Sequence, residues 1–120
     1  MRVEYLIMAV ETPDDFAARD DPERAPDYWA SWSGYLDALR AAGVVRGAAG
    51  LLPPTTSTTV RLRDGQRSVQ DGPFADTKEQ LGGYFVIEVA DLDEAMEWAA
   101  RCPSAASACV EVRPLLPMMR

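Results

Sequence analysis

The segment DGPFADTKEQLGGYFVIEV, residues 71–89, combines a turn signal, a short charged stretch, a double glycine and the most strand-like run of the chain. Its first residues favour a rigid turn. Asp71 can accept hydrogen bonds from backbone N–H groups just ahead, Gly72 permits a positive φ, and Pro73 fixes φ at about −65°. Phe74 is then a lone large apolar residue, which we expect to anchor the turn to a core.

Gly82 and Gly83 come directly before the apolar run YFVIEV at residues 84–89. This run is rich in β-branched and aromatic residues, a composition typical of strands. Paired glycines beside a strand indicate a β-bulge or the close approach of another backbone. The segment therefore predicts a strand with an irregular start.

Other strands are predicted on either side of this segment. Residues 3–10 are nearly all apolar, which indicates a strand that is buried on both faces. The remaining predicted strands cover residues 44–52, 58–63, 67–70 and 108–116. The second and third of these form a hairpin, because Asp64-Gly65 between them favours a tight turn.

Two amphipathic helices are also predicted. The first runs from Pro26-Asp27 to Gly43, and its apolar stripe consists of Trp29, Trp32, Leu36 and Leu39. The second begins at the N-cap Asp91 and ends at Cys102-Pro103, and its buried stripe consists of Leu92, Ala95, Met96 and Ala99. Residues 11–24 carry charges and two prolines, and we interpret them as a surface loop, with or without one helical turn, and as the most mobile segment of the chain.

The length of 120 residues predicts a single domain that covers residues 1–120. With 48% hydrophobic and 26% charged residues, the composition is that of a soluble globular protein. No apolar stretch approaches the roughly 20 residues needed to span a bilayer, and the N-terminus lacks the features of a signal peptide. We therefore expect a cytoplasmic protein.

The net charge of −7, without a basic cluster, argues against binding to nucleic acid or to an anionic membrane. The chain has no histidine, which removes the commonest general base near neutral pH and the commonest metal ligand. Cys102 and Cys109 are expected to be reduced and buried. The sequence therefore predicts neither a metal site nor a cofactor.

Without the hairpin, the predicted order is β-α-β-β-α-β, the ferredoxin-like arrangement of an antiparallel sheet with helices on one face. The other face should then show alternating apolar and polar residues, but residues 6–8 and 84–87 are continuously apolar. A second copy of the sheet is the simplest cover for this face. The sequence therefore predicts a homodimer of the dimeric α/β barrel type.

The chain resembles the DGPF-domain, YCII-related family over nearly its whole length. The resemblance is carried by TTVRLRDGQ (58–66), DGPFADTKEQLGGYFVIEV (71–89), DLDEAMEWAAR (91–101) and VEVRP (110–114), with LDALRAAGVV (36–45) in agreement. It implies the dimeric α/β barrel, and members often resemble proteins encoded beside sigma factors of the extracytoplasmic-function type. Some members resemble enzymes that use a histidine on the first helix, but Trp32 occupies that position here, so a His–Asp mechanism is not carried over.

A barrel of this kind leaves a cleft suited to a small ligand. The candidates for its lining are Asp71, Phe74, Lys78, Glu79, Tyr84, Arg61, Arg113 and Trp32, and Glu88 and Glu111 are charges within otherwise apolar strands. Three hypotheses follow. The protein is a dimeric small-ligand-binding or regulatory module, an isomerase-like or lyase-like enzyme with Asp71 or Glu79 as acid or base, or a protein-interaction module without pocket chemistry.

Overall fold

The computed structural model of the protein describes residues 2–75 and 77–117, so Asp76 of the predicted turn segment lies outside the described residues. The elements are, in chain order, β1 (Val3–Glu11), α1 (Pro13–Ala18), α2 (Ala25–Ala41), β2 (Val45–Gly50), β3 (Thr58–Arg63), β4 (Gln66–Asp71), β5 (Gln80–Val89), α3 (Leu92–Arg101), α4 (Ser104–Ser107) and β6 (Cys109–Pro114). Each predicted strand and both predicted long helices are present.

Four strands form an antiparallel sheet in the order β2-β5-β1-β6, and β3 pairs with β4 in a separate hairpin. The predicted ferredoxin-like arrangement with an inserted hairpin is therefore confirmed. Asp64 and Gly65 both have positive φ values, 52° and 75°, as a two-residue turn of the primed type requires. The hairpin projects from the sheet, and the radius of gyration of 16.1 Å exceeds the roughly 13.5 Å expected for a compact chain of this length.

The core lies between one face of the sheet and the two long helices. Alternate residues of β1 and β5 point into it, and α2 and α3 contribute the opposite side; the buried set is Tyr5, Ile7, Ala9, Tyr35, Leu39, Phe85, Ile87, Val89, Ala95 and Ala99. The Tyr35 hydroxyl donates a hydrogen bond to the Trp98 carbonyl over 2.8 Å, which ties α2 to α3. Helix α2 ends at Ala41, and the predicted stop residue Gly43 follows the C-cap Ala42 with a φ of 70°.

The second face of the sheet is apolar at its centre and charged at its margins. Leu6 pairs directly with Val86, and Met8 pairs with Tyr84, and all four side chains are partly exposed. Two ion pairs flank them, Arg46 with Glu88 at 3.4 Å and Arg113 with Glu111 at 2.8 Å. This is the face for which the sequence predicts a second copy, and the dimer remains a prediction.

Four residues that the sequence predicts to be buried are exposed or about half exposed. Phe74 is 81% exposed, because it follows the projecting hairpin and has no core within reach; its ring instead lies 5.6 Å from the Arg61 guanidinium. Leu92 and Met96 are about half exposed, since α3 contacts the core through the small residues Ala95 and Ala99. Cys102 is buried as expected, but Cys109 at the start of an edge strand is exposed.

Within the described ranges, no helix is both long and apolar enough to cross a membrane.

Candidate functional site

The segment after β1, for which the sequence predicts a surface loop with or without a helical turn, includes the six-residue helix α1 and buries part of its surface. Glu11 is the last residue of β1, and strand alternation places its side chain on the helix-covered face, where the residue is 1% exposed. Thr12 then caps α1: its hydroxyl accepts from the Asp15 N–H over 3.1 Å, and the Asp15 carboxylate accepts from the Thr12 N–H over 2.9 Å. This capping box, with Pro13 at the first helical position, is the sequence signal from which the helix could have been predicted.

Helix α1 buries Phe16 and Ala18 and brings Arg19 back against the end of β1. The Arg19 Nη2 donates to Glu11 Oε2 over 2.7 Å, and their side chains are only 10% and 2% exposed. The Arg19 Nε donates to the Tyr28 hydroxyl over 2.9 Å, and that hydroxyl in turn donates to Glu11 Oε1. Three side chains from β1, α1 and α2 thus form one closed network, which we call the Glu11–Arg19–Tyr28 network.

Backbone carbonyls complete the surroundings of the guanidinium. Arg19 donates to the carbonyl of Leu51 and, over 3.2 Å, to that of Gly82. Its Cζ also lies 4.8 Å from the ring centroid of Phe16 and 5.6 Å from that of Trp29, distances at which cation–π attraction operates. The positive charge of Arg19 is therefore stabilised jointly by a carboxylate, backbone carbonyl oxygens and aromatic rings.

Burial by itself lowers the pKa of Arg19, but its hydrogen bonds to Tyr28 and Glu11 outweigh burial and raise the pKa. For Tyr28, burial and the hydrogen bond to Glu11 both raise the pKa well above the ordinary value of a phenol. At neutral pH the network therefore holds a charged guanidinium and a neutral phenol. In this state Tyr28 is a hydrogen-bond donor and not a base.

The predicted irregularity at the double glycine creates the space for this network. The pairing of β1 with β5 passes from Ala9–Gly83 to Val10–Leu81, so Gly82 is an extra residue on β5. A Cβ atom on Gly82 would lie 1.7 Å from Glu11 Oε2, and one on Gly83 would lie 3.0 Å from the Ala49 carbonyl oxygen. The two glycines therefore allow a buried carboxylate and a neighbouring strand to approach.

A cleft of about 480 Å³ opens directly beside the network, between α2 and the strands β2 and β5. Strand β2 fills little of this space, because residues 47–50 read GAAG. The other walls are mainly aromatic and aliphatic, and they consist of Tyr28, Trp29, Trp32, Leu36, Leu51, Leu52 and Phe85. The rings of Trp32 and Phe85 are nearly parallel, with an interplanar angle of 8° and centroids 6.2 Å apart.

The residues predicted to line a single cleft are dispersed over the molecule. Trp32 lies in the cleft just described, whereas Asp71 and Lys78 border a second hollow of about 620 Å³ beside Pro13 and Phe16. The others lie elsewhere: Tyr84 and Arg113 on the second face of the sheet, Arg61 and Phe74 at the hairpin, and Glu79 exposed beyond it. Their role in binding stays a prediction.

Asp71 and Glu79 are both exposed, so neither sits in the kind of environment that tunes a catalytic carboxylate. Among the residues that the structure describes, the buried carboxylate is that of Glu11, for which the sequence predicts a position in a loop. Across residues 2–75 and 77–117, no group of three or more Cys, Asp or Glu side chains is placed to hold a metal ion.

Comparison with known proteins places these features in a family. The chain is 45% identical over 76 residues to an uncharacterized protein of Rhizobium meliloti (strain 1021), a match that spans 62% of this chain and 61% of the relative. Its fold is similar to that of the 5-chloro-2-hydroxyhydroquinone dehydrochlorinase TftG from Burkholderia phenoliruptrix AC1100, solved in complex with 2,5-dihydroxybenzoquinone. That similarity has a TM-score of 0.55 at 18% identity and covers 94% of this chain and 93% of the other. The YCII-related domain matches residues 3–119, and the chain therefore belongs to the YCII-related family.

Proposed function

We propose that this protein is a small-ligand-binding module whose ligand occupies the cleft between α2 and β2. The observation that carries the proposal is the cleft itself, about 480 Å³ with aromatic walls and a rigid polar network at one end. Ligand sites are typically apolar hollows of roughly 300–1,000 Å³ with a few fixed polar groups. The dehydrochlorinase of similar fold was also solved with a small ring compound, which supports the choice.

The network is better suited to positioning than to reaction. Glu11 and Arg19 are almost fully enclosed and bonded to each other, so neither side chain is free to exchange a proton with a ligand without first breaking that pair. If the module is regulatory, occupancy of the cleft would be its signal.

Filling the cleft tests the proposal. Ala48 lies on its β2 wall and is exposed, so Ala48→Leu adds volume there without entering the core. Ala41→Leu, at an exposed position of α2 outside the cleft, is the matched control. Both variants and the wild type would be screened against a metabolite library by thermal shift, with native mass spectrometry for any co-purified compound.

We expect at least one compound to stabilise the wild type and Ala41→Leu but not Ala48→Leu. A ligand at 100 times its Kd adds about 2.7 kcal/mol to the free energy of unfolding, which such a screen detects. Two of the three tryptophans, Trp29 and Trp32, line the cleft, so ligand fluorescence titrations have a built-in probe. Stabilisation that is equal in all three proteins would contradict the cleft as the site.

We further propose that two copies pair through the second face of the sheet. The molecule measures 45 × 45 × 18 Å, so its one sheet and one helix layer leave that face open. Leu6, Met8, Tyr84 and Val86 form an apolar centre flanked by ion pairs, and an identical face can pair with it about a two-fold axis.

Native mass spectrometry tests the dimer, which would appear at twice the 13.2 kDa chain mass. Met8→Glu should dissociate it, because the substitution places an unpaired charge at the centre of the face. Leu62→Glu, on the exposed hairpin, should leave it intact. A wild-type monomer at tens of micromolar would contradict the proposal.

An enzyme is the second candidate, favoured by one observation. The Tyr28 phenol lies at the cleft wall between a carboxylate and a guanidinium, so a ligand that reaches its hydroxyl also meets an acid–base pair. Any compound found in the screen would be incubated with the protein and followed by NMR. Conversion that is lost in Tyr28→Phe supports the enzyme, and an unchanged compound supports the binding module.

A further inference from the structure

We infer that the cleft selects uncharged, flat ring compounds over their anionic and cationic analogues, and that Glu11 sets this selectivity by neutralising Arg19. The inference rests on the proposed binding function and specifies the ligand class of the same site. It follows from the charges, the free hydrogen-bond donors and the shape of the cleft.

The cleft has no net charge to offer a ligand. Of the residues that line it, Glu11 and Arg19 are the charged pair, and they are bonded to each other at 2.7 Å. Within the described residues, every buried side-chain nitrogen or oxygen already has a hydrogen-bond partner. A ligand charge would therefore lose its hydration on entry without gaining a counter-charge. The protein's net charge of −7 further disfavours the approach of anions.

Arg19 has little left with which to bind an anion. A guanidinium carries five N–H donors, and Arg19 makes four hydrogen bonds, to Tyr28, Leu51, Glu11 and Gly82. The bidentate geometry through which arginine usually recognises carboxylates and phosphates is thus already used within the protein. At most one donor remains for a ligand, which suits a neutral acceptor such as a carbonyl or hydroxyl oxygen.

Cations are disfavoured for a related reason. Aromatic walls often attract cations, but two of the four rings that line this cleft, those of Tyr28 and Trp29, already lie against the Arg19 guanidinium. A ligand cation that contacted these rings would also lie near the positive charge of Arg19, which would repel it. The aromatic surface that remains, Trp32 and Phe85, presents nearly parallel planes.

The shape of the cleft favours a flat molecule. Its strand wall is built from residues 48–50, which have small or no side chains, and its helix wall carries Trp29 and Trp32. A planar ring can lie against such a wall and stack on or edge against the indoles, arrangements that aromatic rings prefer. A one- or two-ring compound fits the available volume of about 480 Å³.

The test compares three probes of one shape at pH 7: 2-naphthol, 2-naphthoate and 2-naphthylmethylammonium. Calorimetric titration of the wild-type protein should show 2-naphthol binding at least about tenfold more tightly than either charged analogue. Equal or tighter binding of a charged probe overturns the inference and leaves the binding module standing. If none of the probes binds and the library screen also finds no ligand, both proposals fail.

Glu11→Gln tests the origin of the selectivity, because it removes the counter-charge and keeps the size of the side chain. We expect the affinity for 2-naphthoate to rise relative to 2-naphthol by about tenfold, since Arg19 then presents an unpaired positive charge. The double variant Glu11→Gln/Arg19→Gln removes both charges and should restore the preference for 2-naphthol. An unchanged preference in folded Glu11→Gln overturns the role of Glu11. Should that variant fail to fold, the wild-type series still decides the ligand class.

Discussion

Two regions of the molecule are rich in charges, but the charges have different surroundings. The first region is the end of β1 together with α1 and the start of α2. The second is the β3–β4 hairpin together with the turn that follows it. In the first region, residues 11–28, a carboxylate and a guanidinium are buried against each other and hold three elements together. In the second, residues 58–75 and 77–79, the charged side chains are largely exposed and Phe74 has no core contact.

The difference lies in what surrounds each segment. Glu11 ends a strand whose alternate residues face a helix layer, so its position in the alternation decides its burial. The hairpin has no layer above it, so the same kinds of side chain remain in water. A charged stretch of sequence therefore does not by itself identify a surface loop. Four predictions test how much each region contributes to the free energy of unfolding.

The largest effect is expected for Glu11→Ala. This change leaves the Arg19 guanidinium buried without its carboxylate, and breaking such a pair typically costs about 3–5 kcal/mol. Asp71→Ala, in the exposed turn, should change the free energy of unfolding by less than about 0.5 kcal/mol. Urea denaturation at one fixed protein concentration measures both, and similar losses would remove the distinction between the regions.

Gly82→Ala should come next. The new Cβ would lie 1.7 Å from Glu11 Oε2, so the buried ion pair or the strand must move, at a cost of about 1–3 kcal/mol. Gly50→Ala, also in a strand, meets no atom within 4 Å and serves as the control. In the same denaturation experiment, Gly82→Ala should have a clearly lower free energy of unfolding than Gly50→Ala. The reverse order would contradict the bulge geometry.

Tyr28→Phe should cost about 1–2 kcal/mol at pH 8, because the Glu11 carboxylate and the Arg19 guanidinium each lose a hydrogen-bond partner. Burial and the bond to Glu11 raise the pKa of Tyr28 in the folded state. The stability that comes from this raised pKa is therefore full below the unfolded value of about 10 and is lost as pH rises through the folded value. The difference between wild type and variant should shrink above about pH 10, and a difference that grows would contradict the network.

The smallest effect is expected at the hairpin. Leu62→Ser removes an apolar side chain that is 72% exposed, so the free energy of unfolding should change by less than about 0.5 kcal/mol. Thermal denaturation is sufficient to measure it. A larger loss would mean that a second chain covers the hairpin. In that case the loss should depend on protein concentration, which repeating the measurement at several concentrations would show.

Most of the fold could be predicted because its signals are local. Periodicity defined the two long helices, Asp64-Gly65 defined the hairpin turn, and the glycines at 82 and 83 indicated the bulge. The apolar runs in β1 and β5 also indicated a second face that needs cover. Such signals can be read from the sequence because each depends on a few neighbouring residues and not on the tertiary structure.

The candidate site was only partly predictable. Trp32 was named from its helix position, but Glu11, Arg19 and Tyr28 meet only after α1 folds back, and no spacing in the chain encodes that contact. Asp71 drew attention because it belongs to a distinctive motif, yet it lies at the exposed base of the hairpin. A distinctive motif identifies a segment of the chain, but the burial and the hydrogen-bond partners of its residues determine which chemistry they can perform.

The order of the strands has a consequence for how the chain folds. Each of the three pairings in the four-stranded sheet joins strands that are not consecutive, and Val3 pairs with Val89, 86 residues later in a chain of 120. Closing such long loops costs entropy before any contact repays it, so the sheet should form slowly. The hairpin pairs only neighbouring residues and can form within roughly 1–10 μs. We therefore expect the hairpin, the part of the molecule that contributes least to stability, to form before the four-stranded sheet.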